Sequence, residues 1–258
     1  MIDVHCHLEQ DYENRDEIIE KCKKELKAVI TCCAHPRDFD LTLQLTEKYK
    51  NFVFASYGIH PEYIKEVSEK EIDEFIEKVK QNKDKIVAIG ETGMDKFWIH
   101  ETDWQKKQKD LFIRLINLAK ELRKPLIIHS REAYDETVKI LEKENVKEVD
   151  MHMFGDHHLT KRVIDNGWFI SINTIILKSK SHKKIARDCP LERLMLETDA
   201  PWLSPKKLLE GIEEKNDPTS IKIVAEKVAE IKKLSFEDVW KKCGENAIKF
   251  FKLPIKLQ

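Results

Sequence analysis

Short runs of apolar, often β-branched residues alternate with longer amphipathic stretches along the whole chain. Eight runs are expected to be strands: Met1–Cys6, Lys27–Ala34, Phe52–Gly58, Ile86–Glu91, Pro125–His129, Val149–Met153, Trp168–Ile172 and Leu194–Glu197. The stretches between them carry helical spacing. In Trp104–Leu122, for example, Leu111, Leu115, Leu118 and Leu122 recur at i, i+4, i+7 and i+11 and share one face. Two more helices are expected after the eighth run, at Thr219–Lys232 and Ser235–Phe251, the first introduced by Asn216-Asp217-Pro218. Glu213–Asn216 is polar and reads as a loop. Strand and helix units that alternate without a Pro- or Gly-rich linker predict an α/β protein whose parallel strands close into a (β/α)8 TIM barrel, one domain over residues 1–258. The competing architecture is an open doubly wound sheet. It would place a Gly-rich phosphate turn after the first strand, where this chain has His5-Cys6-His7-Leu8.

Composition agrees with a well-packed enzyme-sized chain. At 258 residues the chain can bury most of its unfolded surface. Its seven glycines and eight prolines exclude collagen-like and low-complexity classes. No apolar run is long enough to span a membrane and no secretory signal opens the chain, so a cytoplasmic protein is expected. Six cysteines without C-x-x-C spacing read as free, mostly buried thiols. The formal charge of −1 argues against a broad basic nucleic-acid footprint while leaving room for a local one. No obligate protein partner is evident.

The informative pattern is where the metal-ligand residue types fall. His5 and His7 close the first run, His60 follows the third, and Glu91, His129 and His152 lie at the ends of the fourth, fifth and sixth. Asp199 follows the eighth. In a parallel barrel all of these strand ends open onto one face, so residues scattered over the chain would converge on one pocket. His5 and His7 are two apart on a strand, so both rings share a side while Cys6 points away. A mixed His/Asp/Glu set leaves the metal open among Zn, Mn, Mg and Ni. Glu91, in Gly90-Glu91-Thr92-Gly93-Met94-Asp95, is a carboxylate at an apolar strand's end and needs partners; two cations that it bridges would supply them. Asp95 is a further candidate. Asp199 can ligate a metal and accept a proton from water held there. Arg131 has two readings, a bidentate phosphate clamp or an ion pair with the acids around Glu132. His157 and His158 read as solvated loop residues. There is no G-x-S-x-G elbow, P-loop or H-E-x-x-H helix.

Taken together, Asp3-Val4-His5-Cys6-His7-Leu8, Gly58-Ile59-His60-Pro61, Gly90-Glu91-Thr92-Gly93-Met94-Asp95, His129-Ser130-Arg131-Glu132-Ala133, Thr198-Asp199-Ala200-Pro201-Trp202-Leu203 and Asn216-Asp217-Pro218 resemble the TatD family of metal-dependent hydrolases and deoxyribonucleases, over the whole chain. The resemblance implies one metal on His5, His7, Glu91 and Asp199, a second on Glu91, His129 and His152, and His60 facing a substrate phosphate. It also implies DNA or another phosphodiester as substrate, with Asp199 and Glu91 as the catalytic carboxylates and two divalent ions per chain as cofactors. Two stretches depart from the family pattern. Phe154 is followed by Gly155-Asp156 instead of Ser-Gly, adding an acid that would repel a phosphodiester unless it pairs, and Lys249 stands where the family usually has Arg. Hydrolysis of an amide or ester, including an aminoacyl ester, is the second enzymatic reading. A metal- or nucleic-acid-binding protein without turnover is the third; the presence of Asp199 speaks against it.

Overall fold

The computed structural model describes residues 1–10 and 12–256. Eight parallel strands form one sheet in chain order: β1 (Ile2–Cys6), β2 (Ala28–Cys33), β3 (Val53–Tyr57), β4 (Ala88–Asp95), β5 (Leu126–Arg131), β6 (Val149–Met151), β7 (Phe169–Ile172) and β8 (Leu194–Leu196). Contacts between β1 and β8 bring the two edges together, so the sheet is a nearly closed barrel, as expected from the alternating pattern. One helix fills each crossover: α1 (Arg15–Glu25), α2 (Phe39–Lys48), α3 (Glu69–Gln81), α4 (Thr102–Leu122), α5 (Tyr134–Lys143), α6 (Thr160–Asp165) and α7 (Lys180–Asp188). After β8 come α8 (Pro205–Glu210), α9 (Ile221–Lys232) and α10 (Phe236–Phe251). No helix among the described residues is long and apolar enough to cross a membrane.

The helices bury the faces their spacing indicates. Leu111, Leu115 and Leu118 of α4 are buried with Phe112 and Ile116, and Leu122 packs at the edge of the same core. Helix α10 begins one residue later than its apolar pattern suggests because Ser235 is its N-cap, its side chain accepting a hydrogen bond from Asp238 N. Ahead of α9 the chain makes a short 3-10 turn at Pro218–Ser220, capped by Asp217. All six cysteines are free and buried. A cluster with Ile2, Ile30, Ala88, Ile127 and Met195 joins five strands to Phe250 and Phe251 of α10.

The largest departure from the expected elements is β4, which runs four residues past Glu91 to Asp95. Glu91 is therefore inside a strand and not at its end, and the β4–β5 register shifts between Ile89 and Thr92, around it. Gly93 would ordinarily mark a turn. Here it has φ +148, and a Cβ would lie 1.9 Å from the His129 carbonyl oxygen, so the glycine lets β4 stay against β5 where a side chain would push it off. Strand β5 likewise continues past His129 to Arg131, whereas β6 and β8 stop short of their apolar runs.

Gly58, at the end of β3, makes a comparable close approach on the other side. A Cβ there would meet the Glu91 carbonyl oxygen at 2.3 Å and the Glu91 nitrogen at 2.8 Å, both backbone atoms that cannot swing aside. Gly58→Ala is expected to destabilise the protein by about 1–3 kcal/mol through overpacking and to lower its melting temperature by about 2–4 °C per kcal/mol. It should also reduce bound metal, because Glu91 is displaced. Thermal melting with elemental analysis of the same sample checks both effects; an unchanged melting curve with full metal content contradicts them.

Candidate metal centre

Side chains from six strands and the turns that follow them meet at one end of the barrel. The Nε2 atoms of His5 and His7 lie 3.1 Å apart, while Cys6 turns away and its thiol donates to the Ile30 carbonyl. Glu91, only 3% exposed, reaches between two groups of rings. Its Oε2 is 3.3 Å from His5 Nε2 and 3.8 Å from His7 Nε2. Its Oε1 is 2.9 Å from His129 Nδ1, 3.5 Å from His60 Nε2 and 3.6 Å from His152 Nε2. Asp199 completes the first group, with Oδ1 3.7 Å from His5 Nε2 and 3.6 Å from His7 Nε2. His5, His7 and Asp199 have donor atoms within 4.8 Å of one another, as do His60, Glu91 and His129.

The donor chemistry fits divalent cations. His5 is fully buried, its Nδ1 has no hydrogen-bond partner, and its Nε2 faces a second ring nitrogen and two carboxylates. Unshared pairs directed at one point repel unless a proton or a cation lies between them. Nitrogen and carboxylate donors together suit zinc, manganese, nickel or iron.

A layer of carboxylates behind the rings holds them in place. Glu9 contacts His7 Nδ1 at 3.0 Å, Asp95 contacts His129 Nε2 at 2.8 Å, and Glu197 contacts His152 Nδ1 at 2.9 Å. Each ring thus turns one nitrogen to an acid and the other to the centre, the arrangement by which proteins fix the tautomer and raise the basicity of metal-binding histidines. The acids are themselves satisfied: Thr31 donates to Glu9, Trp98 N to Asp95, and Ser171, Asn173 and Met153 N to Glu197. Glu197 could also be grouped with His5 and His152 as a ligand. Its oxygens are taken up by those four partners, which makes it a support for His152.

His60 differs from the other rings. Its Nδ1 accepts a hydrogen bond from Glu62 N at 3.2 Å, so a neutral His60 carries its proton on Nε2 and presents a donor to the centre. That polarity suits an anionic oxygen better than a metal ion.

Glu9 and Glu197 are absent from the ligand pattern read in the sequence, yet each left a signal. Glu9 lies two residues beyond His7, and Glu197 ends an apolar run, where a carboxylate needs a partner. Asp95 is fully buried against His129. Arg131 does not form the ion pair that is one of its two readings, and it lines the cavity at the centre. Its guanidinium lies over the Phe97 ring at 3.6 Å and the Trp98 ring at 5.5 Å, and among the described residues no acid pairs with it. The added acid Asp156 is occupied, accepting from His158 N and capping a short turn. His157 is tied to Asp188 at 2.7 Å.

Electrostatics follow from this packing. Burial would raise the Glu91 carboxyl, but the charges of His60, His152 and His5 and the bond to His129 hold it well below the usual range. Asp199 is likewise held down against its burial by His7, His152 and His5. Burial also works against charge on His129 and His152, but Asp95 and Glu91 raise the first to about 9, and Glu197 and Glu91 raise the second to about 10. His5, more affected by burial and by the charge of His152, is lowered.

The centre opens into a cavity of about 300 Å³ whose walls include His60, Tyr63, Trp98, Arg131, Met153 and Trp202. A larger cleft of about 590 Å³ lies against the opposite ends of the strands, at Val53, Ile86 and Pro125, and among the described residues contains no comparable cluster.

A barrel of this kind with a buried His/Asp/Glu cluster at the C-terminal ends of its strands belongs to the class of metal-dependent hydrolases. The family model for TatD-related DNases matches residues 2–252, and the chain belongs to the TatD family. It is 36% identical to an uncharacterized metal-dependent hydrolase of Methanocaldococcus jannaschii, covering 97% of this chain and 96% of that one. It is 33% identical to the deoxyribonuclease TATDN3 of Homo sapiens, covering 97% and 94%. The TatD homologue YJJV of Escherichia coli shares the fold, with a TM-score of 0.89 at 24% identity over 98% of both chains.

The proton inventory makes a prediction about metal uptake. Below pH about 9 the metal-free site holds protons on His129 and His152 that a metal must displace. Uptake at pH 7 should release protons, and affinity should rise with pH as these rings lose theirs, together with His7, which, against its burial, Asp199 and Glu9 also hold well above its ordinary value. The sign for stability is opposite: a ring whose pKa rises on folding contributes fully below about pH 6.5, its unfolded value, and loses that contribution as pH rises through 9–10. Calorimetric titration in buffers of differing ionisation enthalpy measures the release. Affinity independent of pH from 6 to 9 contradicts it.

Proposed function

We propose that the protein hydrolyses phosphodiester bonds, with DNA the favoured substrate, using two divalent ions. The observation that carries this reading is the division of labour in Glu91, whose two oxygens face separate groups of donors. His5, His7, Asp199 and Glu91 Oε2 would hold one ion; His129, His152 and Glu91 Oε1 would hold the other. Such ions polarise a phosphoryl oxygen and lower the pKa of a water, and a pair can balance charge on both the attacking and the leaving oxygen. The name of the human relative, a deoxyribonuclease, supports the choice of bond.

The protein's own groups divide the remaining work. His60 offers its Nε2 proton to a phosphate oxygen at the cavity wall. Arg131, which lies over the Phe97 ring and pairs with no acid among the described residues, presents a positive charge on the same cavity. Asp199, kept ionised by the rings around it, orients the attacking water and takes its proton on a carboxylate oxygen. Glu91, ionised and buried, holds the two groups in register.

Turnover by the metal-reconstituted protein on single-stranded DNA, duplex DNA, RNA and aminoacyl esters tests the reading. Cleavage of the nucleic-acid strands is expected, and turnover confined to esters overturns it. Asp199→Asn should stay folded, retain the ion held by Glu91, His129 and His152, and lose about 10²–10⁴ in kcat with a smaller change in KM. A fully metallated Asp199→Asn protein with near-normal turnover removes Asp199 from the proton path. In Glu91→Ala, elemental analysis should show both ions depleted, and full occupancy would eliminate the bridge.

A further inference from the structure

Two indoles stand in water at the mouth of the metal centre. Trp98 is 55% exposed and Trp202 is 45% exposed, and both line the same cavity of about 300 Å³. They approach from opposite sides. Trp98 follows β4 and Trp202 follows β8, strands half the barrel apart in an eight-strand order. Each is fastened to a different group of rings. Trp98 N donates to Asp95 Oδ1 at 2.7 Å, and the other oxygen of Asp95 holds His129 at 2.8 Å. The Trp202 ring meets the His7 ring edge-on, with centroids 4.7 Å apart.

Large apolar side chains left exposed beside a polar site mark a surface that a ligand covers. A phosphodiester is a branched anchor: its two ester oxygens lead away to two nucleosides, one on each side of the phosphorus. A phosphate seated between the two groups of rings would send one nucleoside toward Trp98 and the other toward Trp202. We infer that Trp98 and Trp202 are paired stacking walls for the bases flanking the scissile phosphate. Within a duplex both faces of each base are covered by its neighbours, whereas an unpaired base can turn its face to an aromatic side chain. Stacking of this kind is indifferent to sequence, since every base has a π-face. The formal charge of −1 gives the chain no net attraction for a polyanion, which makes such contacts more important.

This inference rests on the phosphodiester reading, and the test separates the two. The metal-loaded protein and its Trp98→Ala and Trp202→Ala variants are compared on a thymidine decamer and on a decamer of the same length in which every nucleoside is a base-free tetrahydrofuran. Each Trp→Ala change should lower kcat/KM on the thymidine strand by about 5- to 150-fold, mainly through KM. On the base-free strand the same change should cost little, so the two perturbations are strongly non-additive. Dissociation constants from fluorescence anisotropy, measured in an Asp199→Asn background, should show the same pattern without turnover. Trp→Phe should restore most of the loss, and Trp→Leu, which keeps bulk without a π-face, should not. These two variants also cover the case in which an alanine variant fails to fold. Equal losses on both strands, or none on either, overturn the stacking walls while leaving phosphodiester hydrolysis standing. A metal-loaded wild type that cleaves duplex DNA but neither decamer overturns the walls alone, and one that cleaves no nucleic acid removes the phosphodiester reading as well.

Discussion

A carboxylate deep in a barrel is the constraint on which the rest of the site depends. Glu91 is only 3% exposed, and an ionised carboxyl at that depth requires positive charge around both oxygens. The rings of His5 and His7 on one oxygen, and of His60, His129 and His152 on the other, answer that requirement. Bringing them so close demands unusually tight strand packing. Gly58, just past the end of β3, and Gly93, in β4 against β5, supply it, since a side chain at either would meet backbone. The barrel's closure then matters as much as its strands, since His5 and Asp199 come from the two strand regions that meet at the seam.

The histidines that surround Glu91 are themselves fixed from behind by Glu9, Asp95 and Glu197. The result is a layered charge pattern, with acid at the centre, imidazole around it and acid outside. Such a pattern accepts either protons or divalent ions as its positive charge. Hydroxyl and amide donors from Thr31, Ser171 and Asn173 finish the hydrogen bonding of the outer acids, so the layer behind the rings is rigid. Rigidity is useful here because the positions of donor atoms set which cation binds and how substrate oxygens approach.

The mouth of the site is built by a different logic. Arg131 lies over aromatic rings, and among the described residues no acid pairs with it. His60 is fixed as a donor by a backbone amide. Trp98 is tied at its backbone to Asp95 and Trp202 packs against the His7 ring, while both indoles remain about half exposed. Arg131, His60, Trp98 and Trp202 thus share one opening of the cavity.

Strand number, strand order and the clustering of ligand types at strand ends were legible in the sequence because they follow from local periodicity. Apolar runs alternate with amphipathic helices, and in a parallel barrel the ends of the runs share one face whatever their separation along the chain. His5, His7, His60, Glu91, His129, His152 and Asp199 accordingly do lie together. Tertiary structure alone decided that Glu91 lies within β4, because the approach of the His129 carbonyl to Gly93 keeps the strand going where local composition suggests a turn. It alone selected Glu197 for His152 and Glu9 for His7 from among 47 acidic residues, and placed Arg131 on Phe97 instead of on an acid. Periodicity is a property of neighbouring residues. Which nitrogen faces which oxygen is set by distances of about 3 Å between residues far apart in the chain, and only the closed barrel determines those distances.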